Sequence, residues 1–214
     1  FYDGETEVPA ALEIERIDDG PRRELPPLAA AGVAAQLRQL GRFVHDNTQW
    51  WDQVARSKRD EHLNAFPDDG GGLGAVNTAS QKYQSFGIGC WRLAPDEALV
   101  IEVRPPRAKY WSLHLGNHWM ESLDFASHQS SLNGHQAVLD PDGVFRAVVC
   151  LDDPGVPNWL DTVGHAEGSM IYRWNQADGA PIPATRVVKR ADLRSELPAD
   201  TPVVTAEERA AVVA

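Results

Sequence analysis

The sequence predicts a mainly β protein, an antiparallel sandwich or barrel preceded by an N-terminal α-helical segment. From about residue 83, short apolar runs alternate with polar residues at the period of a strand, and turn formers separate the runs. Residues 28–66 instead repeat their apolar side chains at the helical period. The 214 residues are 43% hydrophobic and 24% charged, which is ordinary for a globular protein with a core.

The helical segment, residues 28–66, follows an N-terminal extension, residues 1–27, that mixes proline with charged residues. Asp46-Asn47-Thr48 carries side chains that cap helices, so we expect a second helix to begin at Gln49. An apolar stripe at i, i+3, i+7 and i+14 predicts that the segment is amphipathic. The stripe consists of Leu37, Leu40, Val44 and Trp51.

The β-sandwich domain is predicted over residues 75–190, after a flexible break at Asp68-Asp69-Gly70-Gly71-Gly72. Asp140-Pro141-Asp142-Gly143, between two apolar runs, is typical of a hairpin. Residues 191–214 form a C-terminal tail rich in proline and charge, with a short helix over 206–213. After a strand through Phe86, Ile88 and Cys90, the strand-like runs are 99–103, 110–115, 135–139, 144–151, 169–174 and 185–188.

Charge and hydropathy exclude several classes of partner. The formal net charge of −11 argues against nucleic acid and against anionic membrane surfaces, because both bind basic proteins. No apolar run approaches the roughly 20 residues that a membrane helix needs. The acidic first residues do not resemble a signal peptide, so we expect a cytoplasmic protein.

The two cysteines, Cys90 and Cys150, lie in apolar, strand-like surroundings. Buried free thiols in a reducing compartment are the expected state, and a single disulfide is the alternative. Because no Cys-x-x-Cys motif is present, we expect no structural zinc, and no cofactor is indicated.

Four motifs, in order over about 70 residues, resemble the domain of unknown function 1214 family. Arg107-Ala108-Lys109-Tyr110-Trp111-Ser112-Leu113 is similar to its aromatic-Trp-Ser-Leu strand, and Asp140-Pro141-Asp142-Gly143 to its Asp-Gly hairpin. Pro157-Asn158-Trp159-Leu160 resembles the Asn-Trp-Leu signature of that family, and Tyr172-Arg173-Trp174 its closing strand. A weaker similarity extends over residues 83–190.

The resemblance implies a jelly-roll β-sandwich that is often found beside an upstream sister domain of unknown function 1254. Two positions depart from the commoner family pattern. Asp161 stands where many members have proline, and Arg173-Trp174 replaces Arg-Leu-Tyr. These departures suggest a subgroup with its own ligand, and the resemblance assigns no catalytic role to any residue.

The candidate site predicted from the residues surrounds Trp159, which would form the wall of a pocket. Asn158 and Arg173 would bind the ligand, with Arg173 holding an anionic group, while Asp161 or His165 would act as acid and base. An inward-facing Arg173 needs a buried partner, and Asp161 is the expected one. The structural alternative is a long connection held by a buried Trp159, with Asn158 bonded to the loop backbone.

Two further residues, Trp111 and His114, are candidates for ligand binding. Trp111 and its neighbour Tyr110 point to opposite faces of a strand, so one of them is left to stack on a sugar or an apolar ligand. His114 with His118 and Glu121 invites a metal site. On a continuous strand, however, the two histidines lie about 13 Å apart, which is too far for one metal ion. A turn at Gly116-Asn117 is the alternative that would bring them together, but the cupin spacing His-x-His is absent.

A serine triad is the remaining catalytic alternative. His128 and His135 flank Ser130-Ser131, and Asp124 lies nearby, so the residue types of a triad are present. The chain has no Gly-x-Ser-x-Gly elbow, and triads are recognised by geometry rather than composition, so we do not favour this alternative.

These observations predict a protein that binds or processes a small polar molecule or a carbohydrate in a pocket beside Trp159, with hydrolysis as the reaction expected of an enzyme. The alternative is a non-catalytic binding or assembly module that forms homo-oligomers through exposed aromatic residues.

Overall fold

A computed structural model describes residues 11–15, 29–68 and 84–213, which form two compact units that divide between Trp50 and Trp51. The predicted mainly β sandwich with an N-terminal helix is confirmed. Most of the predicted extension, residues 1–27, and all but the first residue of the predicted break at 68–72 lie outside the described residues. The elements are α1 (Ala30–Glu61), β1 (Gln84–Arg92), β2 (Glu97–Val103), β3 (Ala108–Gly116), β4 (Ser131–Asn133), β5 (Phe145–Cys150), β6 (Trp159–Asp161), β7 (Glu167–Ala177), β8 (Ala184–Lys189), α2 (Leu193–Glu196) and α3 (Ala206–Val213).

Helix α1 is one helix, and the prediction of a second helix beginning at Gln49 was wrong. Thr48 does not cap a helix, because its hydroxyl donates to the carbonyl oxygen of Val44 (2.7 Å), one turn earlier. Leu37, Leu40 and Val44 of the predicted stripe are exposed.

The first sheet has the strand order β1-β7-β3-β4, with antiparallel neighbours. Its two faces differ because side chains alternate along each strand. The inner face belongs to the main core, which includes Leu113 and Tyr172. The outer face carries Tyr110, Ser112 and His114 of β3.

The second sheet has the order β6-β5-β2-β8. Its pairs are antiparallel except β5 with β6, which are parallel, so the predicted fully antiparallel arrangement is corrected at this edge. The connection 151–158 returns the chain to the start of β5 before β6 begins, which a parallel neighbour requires. Leu99 and Ile101 face the main core. The opposite face of this sheet has its own apolar cluster beneath α2.

The strand predicted over residues 135–139 is absent and is replaced by a turn. Backbone amides of Gln136 and Ala137 donate to the carbonyl oxygen of Asn133, which curls the chain back on itself. Only Leu139 forms a bridge, with Phe145. The predicted helix over 206–213 is confirmed as α3.

Candidate functional site

Asn158 is a structural residue in the connection between β5 and β6. It is only 5% exposed. Its amide nitrogen donates to the carbonyl oxygens of Val138 (2.6 Å) and Arg146 (2.9 Å), and its amide oxygen accepts from the backbone of Val138 (2.9 Å). These bonds occupy the amide with backbone groups, so the structural alternative describes Asn158 better than the predicted ligand contact.

Trp159 also holds the fold together rather than forming the wall of a pocket. It packs in the cluster beneath α2, and its indole nitrogen donates to the carbonyl oxygen of Cys150 (3.0 Å). The guanidinium of Arg209 lies 5.5 Å from the ring centroid. Trp159 lines neither of the two clefts described below.

Asp161 does not pair with Arg173, and that prediction was wrong. Asp161 ends β6 at the edge of the second sheet, whereas Arg173 lies on the outer face of the first sheet. Arg173 is exposed, with its guanidinium 5.3 Å from the ring centroid of Phe86. The partner of Asp161 is His128, whose Nδ1 lies 2.7 Å from Oδ2.

His165, predicted to act with Asp161, lies on an exposed turn. Its backbone amide donates to Thr162, and its ring has no hydrogen-bond partner among the described residues. His128 therefore occupies the position beside Asp161 that the sequence assigned to His165. The sequence placed His128 in a serine-triad hypothesis with Asp124 as its partner. Asp124 instead accepts hydrogen bonds from the backbone amides of Ala126 and Ser127.

Arg209 of α3 is a residue that sequence reasoning missed. It is 8% exposed and forms an ion pair with Asp153 (3.0 Å). Its guanidinium also donates to Gln129 Oε1 (3.0 Å) and to the carbonyl oxygens of Val156 and Pro157. Arg209 is at least 52 residues away in sequence from each of these partners. Only the helical pattern of residues 206–213 indicated that this segment packs against the sandwich.

A cleft that we call the outer cleft lies on the outer face of the first sheet. Its volume is about 250 Å³. Its lining combines two aromatic rings and three leucines with hydroxyl, amide and imidazole groups, and no lining residue is acidic, lysine or arginine. The lining residues are Tyr110, Ser112, His114, Leu115, Ser122, Leu123, Phe125, Ser130, Ser131, Leu132, Asn133 and Gln136.

A second cleft, the side cleft, has a volume of about 400 Å³. It shares Phe125, Ser131, Leu132 and Gln136 with the outer cleft, so the two form neighbouring parts of one depression. Its other lining residues are Ala126, His128, Gln129 and His135.

Of the two further ligand candidates, the structure places His114 in the outer cleft and Trp111 in the core. Trp111 points inward and packs against Phe145 and Trp174, with ring centroids 5.0 Å and 5.8 Å away. Tyr110 is the exposed member of the pair. Burial lowers the pKa of His114, and the positive charge of Arg173 lowers it further, so this imidazole is neutral at pH 7.

Neither a metal cluster nor a reactive thiol is found in the part of the chain that the structure describes. No three His, Cys, Asp or Glu side chains converge there, and His118 bonds to Asp52 (2.9 Å) rather than lying beside His114. Cys90 and Cys150 are free and buried. Burial raises the pKa of Cys90 to about 11 and that of Cys150 to about 12, so both remain thiols. None of the described helices is long and apolar enough to span a membrane.

Comparison with known proteins supports the fold but not an activity. The chain is similar to a crystal structure of an uncharacterised protein from Burkholderia cenocepacia, with 39% identity and a TM-score of 0.69. The match covers 89% of this chain but 52% of the other, so the chain spans about half the length of that protein. A structure from Vibrio parahaemolyticus is 17% identical over 56% of this chain and 34% of its own, with a TM-score of 0.42.

No protein-family model and no curated protein matches the chain. The resemblance to the domain of unknown function 1214 family therefore stays a prediction.

Proposed function

We propose that this protein binds a small, neutral polar molecule, with a carbohydrate as the class that fits best, in the outer cleft. One observation supports the proposal: two exposed aromatic rings line the outer cleft together with neutral hydrogen-bonding groups. Tyr110 is 48% exposed and Phe125 is 69% exposed. Large exposed rings at the mouth of a cleft are typical of a binding site, since a buried core would otherwise hold them.

The chemistry of the lining favours hydroxyl groups as ligands. Ser112 and Ser131 offer hydroxyls, while Asn133 and Gln136 offer amide nitrogens, because their amide oxygens accept from backbone amides. Neutral His114 has one donor and one acceptor nitrogen, which matches a hydroxyl that both gives and receives a hydrogen bond. The apolar face of a sugar ring packs on an aromatic ring, which is the part that Tyr110 and Phe125 would supply. The lack of a lining charge favours a neutral ligand over an anion.

We expect Tyr110→Ala to weaken binding of a neutral saccharide at least tenfold, because the variant removes one of the two bordering rings. The measurement is a titration of the ¹⁵N-labelled protein with a panel of mono- and disaccharides at millimolar concentration, followed by NMR. Shifts should concentrate on residues 110–114 and 131–136.

Trp119→Ala is the matched control, since Trp119 is also an exposed aromatic residue but lines neither cleft. It should leave the affinity unchanged. Shifts that fall outside the two clefts, or no shift with any sugar, would contradict the proposal.

A second candidate function is self-association, favoured by the exposed stripe of α1. Leu37, Leu40 and Val44 are each more than half exposed and follow the 4–3 spacing of a coiled-coil seam. Such a stripe buries its apolar area when two copies pair. In this candidate function, the homo-oligomer forms through α1, whereas the sequence predicted association through exposed aromatic residues of the sandwich.

For self-association, we expect the mass from light scattering to be that of a dimer at tens of micromolar protein. Leu40→Glu should reduce it to that of a monomer, because a carboxylate in the seam opposes pairing. Gln39→Glu introduces the same charge at an exposed position on the other side of α1 and should leave the dimer intact. A monomeric wild type at the highest concentration reached would eliminate this candidate.

A further inference from the structure

We propose that His128 and Asp161 form a general-base dyad that hydrolyses a carboxylic ester in the side cleft. The inference rests on the proposed function in one respect: the polar molecule held in the outer cleft would present an O-acyl group to the neighbouring side cleft. Four residues line both clefts, so one ligand can occupy both.

The hydrogen bond between the two side chains sets the state of the imidazole. Asp161 Oδ2 lies 2.7 Å from His128 Nδ1 and, as a carboxylate oxygen, accepts a hydrogen bond from it, so neutral His128 carries hydrogen on Nδ1. Nε2 is then an acceptor with a free lone pair. The His128 side chain is 41% exposed and lines the side cleft, whereas that of Asp161 is 11% exposed. This is the arrangement in which a carboxylate orients a catalytic imidazole.

The surroundings of Asp161 hold the dyad in place. Its second oxygen, Oδ1, accepts from the backbone amide of Val163 (2.7 Å), and its own amide donates to the carbonyl oxygen of Gln129 (2.9 Å). The Gln129 side chain donates to the carbonyl oxygen of Trp159 (2.5 Å) and accepts from Arg209 (3.0 Å). The residue next to His128 is thus fixed by buried hydrogen bonds, which preorganises the base.

The lining of the clefts favours an ester over a glycoside. Hydrolysis of a glycosidic bond generally uses two carboxyl groups beside that bond, and neither cleft is lined by a carboxylate. Acyl transfer to water needs only one base and donors for the carbonyl oxygen. Gln136 lines both clefts, and its amide nitrogen has no hydrogen-bond partner among the described residues, while its oxygen accepts from the backbone of Asn133 (3.1 Å).

The step balances without a cofactor. Nε2 of His128 takes a proton from water as the water oxygen bonds to the acyl carbon, and the amide of Gln136 donates to the oxyanion that forms. The bond between the acyl carbon and the ester oxygen then breaks. The imidazolium returns its proton to the departing alcohol, which leaves a carboxylic acid. His128 and Gln136 are the catalytic residues, and Asp161 is a positioning residue.

The test uses p-nitrophenyl acetate, an ester that needs no sugar contact. We expect His128→Ala to lower kcat/KM at least 100-fold, in the range of general-base catalysis. His165→Ala is the matched control, because His165 is an exposed histidine that lines neither cleft, and it should change the rate less than twofold. Circular dichroism verifies that each variant is folded.

Asp161→Asn tests the positioning role through two measurements that a purely structural role of Asp161 would leave unchanged. It should alter the pH profile of kcat/KM and shift the ¹⁵N resonances of His128 away from the Nδ1–H form. Because Asp161→Asn can itself destabilise the protein, the wild-type tautomer is measured as well. A wild-type His128 that carries hydrogen on Nε2 would overturn the proposal, as would no esterase activity above buffer or equal losses in the His128 and His165 variants.

The two proposals fail separately. If Tyr110→Ala retains sugar binding while ester hydrolysis still depends on His128, the carbohydrate-binding proposal is eliminated and the dyad proposal is retained. Sugar shifts in the outer cleft without esterase activity would remove the dyad and leave the binding site.

Discussion

Replacing Asn158 by alanine should lower the free energy of unfolding by about 3 kcal/mol. The substitution removes three partly buried hydrogen bonds made by a side chain that is 5% exposed, and each polar group that stays buried without a partner costs about 1–3 kcal/mol. Urea unfolding at pH 7 measures the loss, and the melting temperature should fall by about 6–12 °C. Sugar binding by the folded protein should persist, since Asn158 lines neither cleft.

Asn175→Ala is the matched control for this prediction. The side-chain oxygen of Asn175 is buried without a hydrogen-bond partner among the described residues, so the variant breaks no bond of that oxygen. The change in unfolding free energy should be about 0.5 kcal/mol or less. Equal losses in the two asparagine variants would mean that the hydrogen bonds of Asn158 are not the source of its effect.

Gly168→Ala should destabilise the sandwich by about 3 kcal/mol, at the upper end of the cost of overpacking. A Cβ at this position would overlap the carbonyl oxygen of Gly116 and lie 2.9 Å from Cζ2 of Trp91. Both obstacles are rigid, because Gly116 belongs to β3 and Trp91 is 1% exposed. Denaturant unfolding should show a lower midpoint with an unchanged slope.

Gly41→Ala tests whether the cost arises from space rather than from the substitution itself. Gly41 lies within α1 and has no atom within 4 Å of an added Cβ. Alanine there should raise helix stability by about 1 kcal/mol. If Gly168→Ala is as well tolerated as Gly41→Ala, the close approach of β7 to β3 is not tight.

The sheets were predictable from sequence because alternation of side chains survives in the local pattern. Leu113 and Leu115 point inward while Ser112 and His114 point outward, as the period of a strand requires. Predictions of helix boundaries failed where the same residue can occupy either a helix end or a helix interior. Thr48 is typical of a helix cap, but it lies inside α1 with its hydroxyl bonded to Val44.

The site was less predictable than the fold, because it depends on which distant side chains meet. Asp161 and His165 are close in the chain, yet a turn separates them. Asp161, at the end of β6, instead contacts His128, which lies in the connection between β3 and β4. Trp159 and Asn158 stand out in the sequence because they are structural, not because they touch a ligand. Periodicity indicates on which face a residue lies, but it carries no information about contacts between separate loops.

The buried guanidinium of Arg209 links α3 to the loop that carries His128. Arg209 and Val204 bond to the segment 153–157, and Arg209 also bonds to Gln129, which lies directly beside His128. Gln129 and Arg209 are 80 residues apart in the chain. The backbone behind the proposed dyad therefore depends on a long-range contact, which forms only when α3 is packed against the sandwich.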